Sequence, residues 1–156
     1  MSIILKQVEA DEVDEVLPLL LLAEPSESAL RWSLDNLSDT VYRAEQGGQL
    51  VGAATMRWSS EPCEIVELGI DEGRQGQGIG REIIESLLVE ARRRGKQKML
   101  VGTGNSSIGN IVFYQKCGFR MDHIRRDYFW YHREREMENG IWTRDMLVFS
   151  YDLTEG

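Results

Sequence analysis

The chain has 156 residues, of which 42% are hydrophobic and 28% are charged, and its formal net charge is −8. This length and composition are typical of one globular domain with a proper core, so we expect residues 1–156 to form a single domain. The negative charge argues against nucleic acid as the main partner, because nucleic-acid binding depends on basic side chains that neutralise phosphates.

The chain also lacks the sequence signals of a secreted or membrane protein. No basic segment precedes an apolar one at the N-terminus, which predicts no signal peptide. The longest apolar run, Val16 to Ala23, is too short to span a bilayer, so no membrane partner is expected. Cys63 and Cys117 have neither metal-ligand spacing nor a disulfide framework, so we expect no metal site and a cytoplasmic location.

Hydrophobic periodicity and turn residues predict a chain that alternates between strands and helices. The predicted strands lie at residues 2–8, 41–45, 49–58, 63–70, 98–103, 119–132 and 142–153. The predicted helices lie at residues 11–23, from the N-cap Ser26 onward, at 78–94 and at 107–117. Pro18 should kink or divide the first helix, and Gly47-Gly48 is a strong hairpin signal. The order is βααβββαβαββ, with residues 133–139 forming a loop or a short helix.

A glycine-rich segment, Gln75-Gly76-Gln77-Gly78-Ile79-Gly80, follows the fourth predicted strand and opens the third helix. Glycines let the backbone turn sharply and approach a ligand closely. The N–H groups of a helix's first turn have no intrahelical partner, and the helix dipole makes that end positive. The segment therefore predicts a phosphate or pyrophosphate site. Arg74 and Arg81 flank this segment. Each could contact a phosphate or could equally be a solvated surface residue.

The spacing of these glycines distinguishes between three types of phosphate-binding loop. A Walker A loop requires Lys after its last glycine, whereas Gly80 is followed by Arg81. A dinucleotide fingerprint requires G-x-G-x-x-G, but Gly76, Gly78 and Gly80 are each two residues apart. The pattern that fits is Q/R-x-x-G-x-G/A, with Gln75, Gly78 and Gly80. This is the pyrophosphate loop of the GNAT acetyltransferase superfamily, which the protein resembles.

A second segment, residues 104–119, strengthens the resemblance. It reads GNSSIGNIVFYQKCGF, in which an Asn, an aromatic-Tyr pair and a Gly-Phe mark a short helix and its exit, about 30 residues after the first signature. The resemblance covers most of the chain and is sharpest between Glu64 and Phe119. It implies an α/β (α+β) GNAT fold, in which about four helices flank a mixed, mostly antiparallel twisted sheet of about seven strands.

The resemblance also implies a function. It predicts an acetyl-CoA-dependent N-acetyltransferase that moves the acetyl group directly to a primary amine in a ternary complex. The acceptor is left open between a small amine, an antibiotic-like amine and a protein amine. A non-catalytic acetyl-CoA-binding sensor or regulatory protein is the alternative. The expected partners are acetyl-CoA and the amine, and a homodimer is left open.

The cofactor contacts that the resemblance implies lie in three segments. They are Leu68, Gly69, Ile70, Gln75, Gly76, Gln77, Gly78, Ile79, Gly80, Arg81, Asn105 and Asn110. Amides around Leu68 to Ile70 would hold the pantetheine arm and polarise the acetyl carbonyl, and Gly69 indicates close backbone approach by a ligand. Asn105 and Asn110 would orient the arm, although helix capping and turn formation would also explain them.

Two residues are candidates for catalysis. The resemblance places Tyr114 where it would hydrogen-bond the departing thiolate, and packing behind a helix is its other interpretation. Glu67 is the first candidate for the base, because strand alternation places it on the face of Ile65 and Gly69. Glu67 could instead be a solvated strand residue, with the base supplied by water or by another carboxylate, such as Asp122 or Asp145.

The acceptor site is the least specified part of the prediction. Aromatic and acidic residues follow the second signature and could form a pocket for a cationic amine. They are Asp122, His123, Asp127, Tyr128, Trp130, Tyr131 and His132, together with the acidic Glu134, Glu136 and Glu138. Packing, or a solvated loop, would explain them as well.

Overall fold

The computed structural model describes residues 2–130 and 135–154. In these residues the α-helices are α1 (Leu17–Ala23), α2 (Glu27–Asn36), α3 (Ile79–Arg93) and α4 (Ile108–Lys116). The strands are β1 (Ile4–Gln7), β2 (Thr40–Gln46), β3 (Gln49–Arg57), β4 (Cys63–Ile70), β5 (Lys98–Gly104), β6 (Arg120–Arg125), β7 (Met137–Glu138), β8 (Ile141–Trp142) and β9 (Met146–Asp152). Short 3₁₀ turns lie at Ala10–Glu15 and Glu72–Arg74.

Seven strands form one sheet in the order β1-β2-β3-β4-β5-β9-β6, and β7 and β8 form a separate hairpin. Only the β4–β5 pair of the large sheet is parallel. This confirms the predicted mixed, mostly antiparallel sheet with four flanking helices. Within the described residues, no helix combines the length and apolar character needed to cross a membrane.

The N-terminal half follows the local signals of the sequence. The predicted helix 11–23 is divided into the first 3₁₀ turn and α1, in which Pro18 stands in the first turn, where a missing N–H is tolerated. Ser26 caps α2, because its hydroxyl accepts a 3.2 Å hydrogen bond from the Ala29 amide. Gly47 and Gly48 both have positive φ, as a tight hairpin between β2 and β3 requires.

The C-terminal part differs from the prediction. The strand predicted at 119–132 ends as β6 at Arg125, because a turn at Asp127 (φ 59°) reverses the chain. The Asp127 carboxylate accepts from Arg144 Nε at 2.6 Å, and its amide donates to Asp145 Oδ1 at 2.8 Å. The strand predicted at 142–153 is divided into β8 and β9, and β7 lies where a loop or short helix was predicted.

The two faces of the sheet carry separate apolar clusters. On one face, α3 and α4 cover a cluster that includes Met56, Ile65 and Phe149. The predicted stripe of α3 is buried there, at Ile79, Ile83, Ile84, Leu87, Leu88 and Ala91. On the other face, α1 and α2 bury Leu20 and Leu30 against Ala53.

The parallel strands β4 and β5 separate along their length. Cys63, Glu64 and Ile65 pair with Met99, Leu100 and Val101, and the pairing stops there. Beyond that point the two strands no longer form a ladder, which leaves a wedge between their carboxyl ends. Because α3 follows β4, its N-terminus lies at the same edge. Ligand sites in sheets with parallel strands commonly lie outside the carboxyl ends of the strands.

Candidate active site

A cavity of about 1250 Å³ opens at this wedge. Its lining extends from the glycine loop at the start of α3 to the turn between α1 and α2, and it includes the residues of β4 from Glu64 to Ile70. Both signatures of the sequence meet there, since the loop residues and α4 line the same space.

The glycine loop has the conformation of an anion cradle. Gly76 and Gly78 have φ values of +81° and +82°, a left-handed region that side chains disfavour. A Cβ at either position would meet no atom within 4 Å, so the space in front of them is open. Gly78 is the N-cap of α3 and supplies no side-chain cap, so the first-turn N–H groups are available to a ligand anion.

Two other glycines serve packing. A Cβ on Gly80 would lie 3.0 Å from Phe113 Cζ, so Gly80 allows α3 to approach α4. A Cβ on Gly69 would overlap the carbonyl oxygen of Leu19, so Gly69 allows the backbone of α1 to lie on β4. The close backbone approach that Gly69 indicates is therefore made by α1, and contact of Gly69 with a ligand stays a prediction. Both glycines still line the cavity, as do Leu68, Ile70 and Ile79.

The polar residues of the loop take different positions. Gln75 lines the cavity, and its Nε2 donates to the Ile70 carbonyl oxygen at 3.3 Å, which ties the loop to the end of β4. Gln77 is exposed and does not line the cavity. Arg74 and Arg81 both line the cavity, with Arg74 bonded to Gln49 and Arg81 Nε 3.4 Å from a Glu85 oxygen.

The two predicted asparagines have different roles. Asn110 lines the cavity and donates to Thr103 Oγ1 at 3.3 Å. Asn105 does not line the cavity, and its amide holds the chain that precedes β9. Asn105 Oδ1 accepts from the amides of Arg144 and Asp145 at 2.8 and 3.0 Å. The cofactor role predicted for Asn105 is therefore replaced by the turn-forming role.

Tyr114 is both packed and part of the cavity wall. Its side chain is 6% exposed, and the ring lies against Phe113, Phe119 and Phe149 at centroid distances of 5.3, 6.2 and 6.1 Å. Burial raises the pKa of the Tyr114 hydroxyl above its ordinary value. The hydroxyl therefore stays protonated and remains a hydrogen-bond donor throughout the physiological pH range.

A β-bulge in β4 directs Glu67. Thr55 of β3 pairs with Glu67, but the next residue, Met56, pairs with Ile65, so Val66 has no counterpart. The extra residue interrupts the alternation of side chains. Ile65 packs in the cluster under α3, whereas Glu67 is hydrogen-bonded to α2 on the opposite face. The predicted shared face of Glu67 and Ile65 is therefore wrong.

The Glu67 carboxylate is buried and held by two hydroxyl groups. Glu67 is among the residues that line the cavity, and it is only 8% exposed. Ser33 Oγ donates to Oε2 at 2.8 Å, and Thr55 Oγ1 donates to Oε1 at 2.5 Å. Burial raises the pKa of Glu67, and the two hydroxyl groups act in the opposite direction by stabilising the ionised form. A carboxyl group with a raised pKa is suited to take up a proton near neutral pH.

Ser33 and Thr55 were not among the predicted site residues. The available signal was a hydroxyl residue at an otherwise apolar position: Ser33 lies among the leucines of α2, and Thr55 lies between Ala54 and Met56 in β3. Both side chains are buried. Hydroxyl groups at such positions need a buried partner, and Glu67 supplies it.

A second carboxylate, Glu64, lies on the same face. Arg125 of β6 forms a bidentate pair with it, at 2.8 and 3.2 Å. Tyr128, which also lines the cavity, is close enough to Glu64 and Glu67 for both to raise the pKa of its hydroxyl, after the larger effect of burial. The charge of Glu64 is therefore partnered, which makes Glu67 the better candidate for a base.

The structure separates the other predicted acceptor residues. Asp122 and His123 lie on the exposed edge strand β6, bonded to each other at 2.7 Å and outside the cavity wall. Trp130 is covered by the guanidinium groups of Arg135 and Arg144. The lining residues from this part of the chain are Tyr128, Phe129, Glu136, Glu138, Thr143 and Met146. Tyr131, His132 and Glu134 lie outside the described residues.

The described residues contain no cluster of three or more His, Cys, Asp or Glu side chains arranged to hold a metal ion. Cys63 and Cys117 are both free thiols. One cavity thus brings together an anion cradle, a buried tyrosine hydroxyl and a buried carboxylate, which are groups that transfer from a phosphorylated cofactor requires.

Comparison with known proteins agrees with this interpretation. The chain matches the model of the Acetyltransferase (GNAT) family over residues 9–119. It is 36% identical over 142 residues to a protein of Bacillus subtilis named as the uncharacterized N-acetyltransferase YvbK, covering 90% of each chain. The chain belongs to the GNAT family of acetyltransferases.

Two solved structures extend the comparison. A GNAT family acetyltransferase from Elizabethkingia anophelis with acetyl-CoA bound is 32% identical, with a TM-score of 0.85 over 97% of this chain and 98% of that one. A structure described as an IAA acetyltransferase from Bacillus cereus is 34% identical, with a TM-score of 0.84 over 97% of this chain and 99% of that one.

Proposed function

We propose that the protein is an acetyl-CoA-dependent N-acetyltransferase that transfers the acetyl group directly to a primary amine in a ternary complex. The observation that carries the proposal is the single cavity that joins the cradle at Gly76 and Gly78, the Tyr114 hydroxyl and the buried Glu67 carboxylate. The acetyl-CoA bound to a relative of similar fold and 32% identity supports the choice of donor.

The base has a defined task in this reaction. An amine with a pKa near 10 is about 0.1% neutral at pH 7, a handicap of roughly 4 kcal/mol. Glu67, directly or through a water molecule, accepts the proton that the amine loses as its nitrogen attacks the acetyl carbonyl. Ser33 and Thr55 hold the two oxygens of the carboxylate, so its orientation is fixed before the amine arrives.

The carbonyl and the thiolate need hydrogen-bond donors. Amides of Leu68 to Ile70, at the edge of β4 where pairing with β5 has stopped, polarise the carbonyl and stabilise the developing oxyanion. When the tetrahedral intermediate collapses, the carbon–sulfur bond breaks and the electron pair stays on sulfur. A thiol is a stronger acid than a phenol, so Tyr114 keeps its proton and stabilises the thiolate through a hydrogen bond.

Release of thiol from acetyl-CoA with a panel of amines tests the proposal. We expect saturable, amine-dependent release, and Glu67→Gln should lower kcat/KM most at neutral pH. The loss should shrink as the pH approaches the pKa of the amine, because the neutral amine then needs no base. Asp122→Asn, outside the cavity, is the matched control and should follow the parent at every pH.

Two outcomes would contradict parts of the proposal. Parallel pH profiles for Glu67→Gln and the parent would reject Glu67 as the base. Tight acetyl-CoA binding without thiol release for any amine would instead favour the alternative function, a non-catalytic sensor of acetyl-CoA.

A further inference from the structure

The charges that line the cavity are separated by sign along its length. In the described part of the chain, the lining cations are Arg74, Arg81 and Lys116. The first two flank the glycine loop. Lys116 is at the end of α4, next to Cys117, and Arg81 is close enough to Cys117 for its charge to oppose the rise in pKa that burial causes in the thiol. All three therefore lie at the end of the cavity that receives phosphates.

The opposite end carries carboxylates instead. Glu67 on β4 and Glu24 in the turn between α1 and α2 are both close enough to Tyr128 to raise the pKa of its hydroxyl. Glu136 and Glu138 line the cavity from the segment that follows β6. Arg125 lies near this end but is not part of the lining, and it is already paired with Glu64. An acceptor that carries its own carboxylate would meet like charge in this half of the cavity, whereas an ammonium group would meet opposite charge.

The walls of the same half are apolar and aromatic. Helix α2 directs Ala29 and Trp32 to the cavity, and the segment after β6 contributes Tyr128 and Phe129, whose rings meet edge to face at 5.0 Å. Trp32 is 58% exposed, so its indole is accessible to a ligand that enters the cavity it lines.

The aromatic wall lies next to the base. Trp32 directly precedes Ser33, whose hydroxyl is 2.8 Å from a Glu67 oxygen. Tyr128 is close enough to Glu67 for that carboxylate to raise the pKa of its hydroxyl, so an amine whose nitrogen reaches Glu67 shares the cavity with the rings of Tyr128 and Trp32. A flat apolar body gains the most from such a surface, and an ammonium group next to aromatic faces gains from cation–π attraction.

We infer that the acceptor is an arylalkylamine without a carboxylate, whose ammonium group enters toward Glu67 and whose ring lies between Trp32 and Tyr128. Acetylation of this amine rests on the proposed function, whereas its binding in this half of the cavity does not. The inference separates the acceptor from free amino acids, which carry a carboxylate, and from polyamines, which lack a ring.

Three probes distinguish these classes: tryptamine, tryptophan and spermidine. We expect kcat/KM for tryptamine to exceed that for tryptophan and that for spermidine by at least about 10-fold each, the scale of one aromatic or charge contact. Trp32→Ala should raise KM for tryptamine about 10-fold and leave kcat and the KM for acetyl-CoA unchanged. Val89→Ala, an exposed apolar residue on α3 outside the cavity, is the matched control and should match the parent.

Binding measured without turnover separates this inference from the proposed function. Tryptamine titrated into the complex of the protein with CoA should bind, and Trp32→Ala should weaken that binding about 10-fold. If no amine is acetylated while this binding persists, the proposed function fails and the acceptor site stands. Equal use of tryptophan and tryptamine, preference for spermidine, identical behaviour of Trp32→Ala and Val89→Ala, or no binding of tryptamine would each overturn the inference.

Discussion

Thr55 and Glu67 form a reciprocal pair across β3 and β4. The Glu67 amide donates to Thr55 Oγ1 at 2.9 Å, and Thr55 Oγ1 donates to the Glu67 carboxylate at 2.5 Å. The threonine hydroxyl thus replaces a ladder hydrogen bond at the bulge and holds the acid at the same time. Ser33 of α2 completes the arrangement from the other side of the carboxylate.

This arrangement predicts the pH dependence of the reaction. Each hydroxyl group stabilises the ionised carboxylate, so its removal should raise the pKa of Glu67 further. For Ser33→Ala and Thr55→Val, the acidic limb of the kcat/KM profile should move to higher pH by about one unit, the scale of a hydrogen bond to a charged group. Ser28→Ala, an exposed position on the same helix, should leave the limb in place. An unmoved limb in both hydroxyl variants would mean that Glu67 does not control the profile.

The same burial predicts a pH-dependent gain in stability for Glu67→Gln. The pKa of Glu67 is raised in the folded protein, so its charge costs stability at pH above that raised value. Below the pKa of the unfolded chain, near 4.3, both states are protonated and the cost disappears. We expect Glu67→Gln to have a higher Tm than the parent at pH 8, with the difference shrinking toward zero near pH 4. Glu12→Gln, exposed in the first 3₁₀ turn, is the control, and a difference that stays constant with pH would contradict the argument.

Tyr114→Phe tests the role of the hydroxyl without disturbing the ring. The ring packs against three aromatic neighbours, and Phe preserves those contacts. We expect acetyl-CoA affinity to stay within a few-fold and turnover to fall by roughly 100-fold, the low end for this kind of catalysis. The low end applies because a thiolate is already a fair leaving group. Pre-steady-state kinetics should measure the rate of the chemical step in the variant and the parent. An unchanged rate would mean that Tyr114 serves only packing.

The glycine loop allows a comparison between two positions of equal strain. Gly78 and Gly95 stand at opposite ends of α3 with φ values of +82° and +75°, and a Cβ at either would meet no atom within 4 Å. Leu at either position should cost about 1–2 kcal/mol of stability, because the left-handed conformation disfavours a side chain. Only Gly78→Leu should abolish the rise in Tm that acetyl-CoA produces. Loss of that rise in Gly95→Leu, or its retention in Gly78→Leu, would place the pyrophosphate elsewhere.

Local patterns in the sequence predicted the fold well, because periodicity, caps and glycine turns are short-range properties. Ser26, Gly47 and the stripe of α3 all have the predicted roles. The turn at Asp127 was missed because its partners, Arg144 and Asp145, are far along the chain.

Contacts between residues distant in sequence also limited the prediction of the candidate site, to a greater degree than that of the fold. The two signatures predicted the ligand site and Tyr114, and the strand before the glycine loop suggested Glu67; both residues line the cavity. Strand alternation could not reveal the bulge, which depends on how β3 and β4 pair. Asn105 has the residue type of a cofactor ligand, yet its amide binds backbone groups about 40 residues further along the chain, which only the tertiary structure could show.

The single unpaired residue in β4, Val66, decides which face of the sheet each later side chain of this strand occupies. If Val66 entered the ladder, Glu67 would join the apolar cluster under α3, and Leu68 would face the α1 backbone, where at present not even a Cβ on Gly69 fits. Deleting Val66 would have no such effect, because Glu67 would then directly follow Ile65 and stay on the opposite face. Loss of the bulge without loss of a residue would therefore remove the base and the seat of a helix together.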